Sequence, residues 1–103
     1  MSQVVRYFHI RPIGGRRYRG ATVRVFGDTE RVGQVDVQVT FCSKGDNYCK
    51  YVGRAEASMA PIKVVPLRYL PNELARIEGK ILGIEGCTPE SFYYAVRYFL
   101  PKE

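Results

Sequence analysis

The sequence predicts an α+β fold: a three-stranded antiparallel meander packed by a helix, then an extended segment and two short C-terminal helices. Three observations carry this. Three strand-like stretches precede Ser43, and in the third Val35, Val37, Val39 and Phe41 alternate with Asp36, Gln38 and Thr40, the period of a half-buried strand. After Ser43-Lys44-Gly45-Asp46 the apolar spacing becomes helical. Pro61, Pro66, Pro71, Pro89 and Pro101 then divide the remainder into short elements. A chain of 103 residues with 46% hydrophobic content is expected to form one domain over 1–103, with a small but real core.

Gln3 to Ile10 reads as the first strand, with Val4, Arg6, Phe8 and Ile10 on one face and Val5, Tyr7 and His9 on the other. Apolar residues on both faces suit a strand covered on each side or lying at an interface. Pro12 ends it, and Gly14-Gly15 marks a turn. A second strand starts at Tyr18 or Ala21 and runs to Phe26, with Thr22, Arg24 and Phe26 opposite Val23 and Val25. A loop opened by Gly27-Asp28 and closed by Gly33 leads to the third strand, Gln34 to Cys42. Two adjoining hairpins make the meander.

The first helix is expected over 47–60, capped by Asp46, with Tyr48, Val52, Ala55 and Met59 on its apolar face and Tyr51 beside them. Gly53 costs that helix about 1 kcal/mol against alanine, and its missing side chain permits close approach to the sheet. Ile62 to Leu70 is apolar but interrupted by Pro66, which fits an extended edge segment and not a central strand. Pro71-Asn72 opens a second helix carrying Leu74, Ile77 and Ile81, shortened or frayed by Gly79 and Gly83. Thr88-Pro89 starts the last one, with Phe92, Ala95, Val96 and Phe99 inward.

The charge is segregated. Arg6, Arg11, Arg16, Arg17, Arg19 and Arg24 lie within residues 1–27, which contain no acid. Residues 28–103 hold ten basic and ten acidic side chains, so the net charge of +6 resides in the first quarter. A neutral body with a cationic segment is the pattern of a polyanion-binding surface. Arg16, Arg17 and Arg19 are expected to contact nucleic-acid phosphates, and Tyr18 among them to stack on a base or ribose. The competing reading is a solvated basic loop that serves solubility. Lys44 and the first amides of the first helix form a second candidate anion site, extended by Lys50 and Arg54. Asp46 opposes it, because a carboxylate at the cap occupies those amides and repels an anion.

Asp46-Asn47-Tyr48-Cys49-Lys50, followed by Gly53-Arg54-Ala55, resembles a motif of small uncharacterised proteins of bacteriophages and archaeal viruses. The likeness covers roughly residues 35–60; in place of the usual basic helix end stands Glu56-Ala57-Ser58-Met59. It implies a viral context and a strand–helix unit, and assigns no activity and no residue roles.

Other chemistry finds little support. Cys42, Cys49 and Cys87 are odd in number and His9 is the sole histidine, so neither a secreted disulfide scaffold nor a metal site is expected. A Cys42–Cys49 disulfide is conceivable in a hyperthermophile, and Cys87 precedes a helix start, a position that lowers a thiol pKa. Few amides and eleven arginines against five lysines lean toward a thermophilic source. Asp28, Asp36 and Asp46 with Glu78-x-Lys80 imitate a metal nuclease, but the Glu-x-Lys pair falls in a helix and not on the strand such sites need. The absence of a signal-like start and of any apolar run near the ~18 residues of a membrane span predicts an intracellular protein.

The expected function is a small basic nucleic-acid-binding protein, non-enzymatic and without cofactor or metal. The alternative is a module docking on an acidic host factor; a small nuclease is third. Tyr93, Tyr94 and Tyr98 either cover the core edge or, with Leu100, form a homodimer surface that would double the basic footprint.

Overall fold

The computed structural model describes residues 3–28, 33–43, 45 and 49–100. Strands β1 (Gln3–Ile10), β2 (Tyr18–Asp28), β3 (Gln34–Ser43) and β4 (Lys63–Pro66) form one antiparallel sheet in the order β1-β2-β3-β4. The predicted meander is present, and the Pro66 segment extends it as an edge strand, with Val65 opposite Val35. Its proline sits at the strand end, where a lost donor costs least.

Alternation decides which side of the sheet becomes the core. Phe8, Ile10, Ala21, Val23, Val25, Val35, Val37 and Val65 all point to one face and are buried. Helix α2 (Leu70–Leu82) covers that face with Leu70, Leu74, Ile77 and Ile81, each at most 1% exposed. Burying each such side chain stabilises by about 1.5–3 kcal/mol. A C-terminal helix, Pro89–Phe99, closes the layer with Phe92, Ala95 and Phe99. It is wound as a 3₁₀ helix, and Tyr94 and Tyr98 flank Phe8 of β1 at 6.1 and 6.3 Å between ring centroids.

The glycines of α2 do not fray it: the helix runs thirteen residues. Gly83 ends it in the left-handed conformation (φ 72°, ψ 29°), and the Ile84 amide folds back to donate to Gly79 O at 3.0 Å. A side chain at Gly79 would meet Ile84 O, so this glycine permits the reversal.

Helix α1 (Lys50–Ala57) lies on the opposite face of the sheet, over β2 and β3. It begins at Lys50 with Cys49 in the N-cap position; the expected cap, Asp46, lies outside the described residues. The apolar residues expected to face the core point to water instead: Tyr51, Val52 and Met59 are exposed, and the helix meets the sheet through Gly53 and Ala57. The reason is the polar surface below it, made by Thr22, Arg24, Gln38 and Thr40. A helix resting on polar groups gains by close approach and hydrogen bonding, not by apolar burial. Buried Gln38 shows this: its Nε2 donates to Ser58 O (3.1 Å) and Ala60 O (2.7 Å), while its Oε1 accepts from Arg24 Nη1 at 2.7 Å.

Candidate nucleic-acid interface

The β1–β2 loop holds Arg16 and Arg17 against the C-terminus of α2. The backbone amides of both donate to Ile81 O, at 3.0 and 3.2 Å, satisfying a carbonyl that the helix leaves open. Gly15 is required there, because a Cβ would collide with Tyr18 O. The two arginine side chains are exposed beside Gly83, where cations complement the helix dipole, and Lys80 stands nearby over the Phe41 ring at 5.6 Å. Tyr18 is placed differently from expectation. Its ring lies half-buried against Phe41, 4.7 Å between centroids and tilted 32°, next to the core. One aromatic surface is thereby engaged within the protein. The strand register shifts between Tyr18 and Gly20, and Arg19 stands exposed at that irregularity. With Arg11, Pro12, Ile13, Gly14 and Gly15 it lines an open groove of about 500 Å³.

Lys50 and Arg54 are on the other side of the sheet. Arg54 Cζ stands 5.5 Å from the Tyr7 ring centroid. The charges of Lys50 and Arg54 add to burial, the larger cause, in lowering the His9 pKa. His9 Nδ1 and Thr22 Oγ1 are 3.3 Å apart and share a hydrogen bond. Tyr7 is held below the ordinary phenol value chiefly by its hydrogen bond with the Ser58 side chain. Burial opposes this, and Arg24 and Arg54 add to it. Arg24 also lies over Phe26 at 4.3 Å.

The structure therefore divides the predicted basic residues. Arg16, Arg17 and Arg19 gather at the β1–β2 loop; Lys50 and Arg54 meet Tyr7, His9 and Arg24 on the outer face; Lys44 lies outside the described residues. Both groups belong to one half of the molecule, since Tyr18 and Gly20 pair with Ser43 and Cys42, where β3 leaves toward α1. Asp28 and Asp36 are placed toward the opposite end of the sheet, beside Gln3 and Phe26. Tyr7 and His9 were not singled out as binding residues from sequence, although their shared strand parity with Val5 was the available signal.

The three cysteines are free thiols, and Cys87 is shifted opposite to expectation: burial first, then Glu78, raises its pKa. Among the described residues no group of three or more His, Cys, Asp or Glu side chains could hold a metal ion, and no helix is long and apolar enough to cross a membrane. No protein-family model, curated protein or solved structure matches the chain.

Proposed function

We propose that this is a small, non-enzymatic nucleic-acid-binding protein, in the viral context that the residue 46–55 motif implies. The observation that carries this reading is the set of exposed arginines at the β1–β2 turn: Arg16 and Arg17 on a loop anchored by backbone hydrogen bonds to α2, and Arg19 at the start of β2. Anchoring lowers the ordering cost of presenting guanidinium groups to phosphates. Lys50 and Arg54 add cations on the other face of the sheet, in the same half of the molecule. Binding is expected to weaken steeply with salt, since each phosphate contact releases a counterion. The test is affinity for DNA and RNA at two salt concentrations with the triple variant R16A/R17A/R19A. Weaker binding with a shallower salt slope supports the reading, and unchanged binding refutes it.

A second reading is favoured by one observation: Val52, Met59, Ile62 and Val64 are exposed apolar residues on or next to α1 and β4. A protein partner would cover them. Pull-down from nuclease-treated lysate separates the readings, because a partner retained after nuclease does not depend on nucleic acid.

A further inference from the structure

Resting on the nucleic-acid reading and narrowing it, we infer that the surface where α1 stands beside the outer face of β1 is the binding track, and that its ligand is single-stranded. Helix α1 rests on β2 and β3, and β1 is the sheet edge, so the outer face of Val5, Tyr7 and His9 lies beside the helix and not beneath it. Helical geometry sorts the charges. With Gly53 against Thr22, a turn of about 100° per residue sends Lys50 and Arg54 toward β1 and Glu56 toward β3. The contacts agree: Arg54 reaches Tyr7, while the Glu56 carboxylate accepts from Thr40 Oγ1 at 3.2 Å. The wall facing β1 is cationic, and the acid is on the far flank.

The floor is aromatic. Arg54 lies 5.5 Å from the Tyr7 centroid, a looser contact than the 4.3 Å of Arg24 over Phe26, so Arg54 can exchange the ring for a phosphate. Tyr51 is 81% exposed and stands three residues before Arg54, its neighbour on the helix surface. Among the described residues of this flank, Tyr51 is the most exposed aromatic ring and the one offered to an incoming base. Beyond the end of β1, Arg11 and Arg19 line the open groove described above, continuing the cationic path. Cations along a wall with rings beside them match a strand whose phosphates and base faces are both accessible. A duplex hides its base faces and offers such a track only its phosphates.

The test is fluorescence anisotropy with labelled oligothymidylate, oligouridylate and a duplex of equal length at about 50 and 200 mM salt. Wild type, K50A/R54A, Y51A and R16A/R17A/R19A are compared, each checked by circular dichroism. Single strands are expected to bind about tenfold tighter than the duplex. K50A/R54A should weaken single-strand binding and flatten the salt slope by about 1.4, roughly 0.7 per lost contact. Y51A should weaken it about tenfold with the slope unchanged. If wild type binds duplex as tightly as single strands, or if K50A/R54A and Y51A bind like wild type, the track is wrong. A loss in R16A/R17A/R19A would in that case preserve the general reading. Failure of wild type to bind any probe would sink both.

Discussion

Gly53 of α1 sits directly on Thr22 of β2, so close that a Cβ on the glycine would collide with the threonine hydroxyl. Local propensity and packing therefore oppose each other here. Glycine costs the helix about 1 kcal/mol relative to alanine. Gly53→Ala should nevertheless destabilise by about 1–3 kcal/mol, since α1 must lift from a rigid strand. Urea unfolding checks this, and T22A in the G53A background should recover part of the loss. A net stabilisation by G53A would show that the contact is softer than the geometry implies.

Gln38 is the fastening between sheet and helix end. Its amide serves two main-chain carbonyls and its carbonyl receives Arg24. Gln38→Ala leaves all three without that partner in a part-buried site and should cost about 2–4 kcal/mol. Hydrogen exchange should accelerate in residues 50–60 more than in α2, because the core on the other face is untouched.

Glu73 gives a pH-dependent contribution. Its carboxylate accepts two 2.9 Å bonds from Arg76 and meets Lys63 at 3.0 Å. Arg76 hydrogen bonding is the main cause that lowers its pKa from the ordinary 4.5, with burial opposing. A lowered folded-state value means the stabilisation is present above about pH 4.5 and is lost as pH falls through that lower value. Glu73→Gln should cost about 1–2 kcal/mol at neutral pH, less than a fully buried pair, because the Lys63 and Arg76 side chains are 60% and 53% exposed. The gap between wild type and E73Q should close on acidification; a gap constant to pH 3 or so would rule out the charged carboxylate as its source.

Much of the fold was legible because β-strand parity is a rigid code. Val23 and Val25 on one side and Thr22 and Arg24 on the other follow directly from period 2, and the buried face confirms it. The C-terminal helices were readable from their own period of three to four residues, since Leu74, Ile77 and Ile81, and Phe92, Ala95 and Phe99, repeat where packing needs them. Helix α1 was misread because periodicity shows that a helix has an apolar side without showing that the sheet below is polar. That depends on Gln38 and Thr22, which are distant in sequence. The candidate site was half legible. Charge segregation marked Arg16, Arg17 and Arg19, but the docking of their loop on Ile81, and the approach of Tyr18 to Phe41, are long-range contacts no local pattern encodes.

The attachment of the arginine loop to α2 has a further consequence. Arg16 and Arg17 are moored through their amides to Ile81 O, and amides are common to nearly every residue type. The position of the loop is thus separated from the chemistry it displays. Substitution at 16 and 17 can change the side-chain chemistry this corner of the molecule displays while leaving its mooring intact, so the loop can behave as an exchangeable cassette on a fixed scaffold.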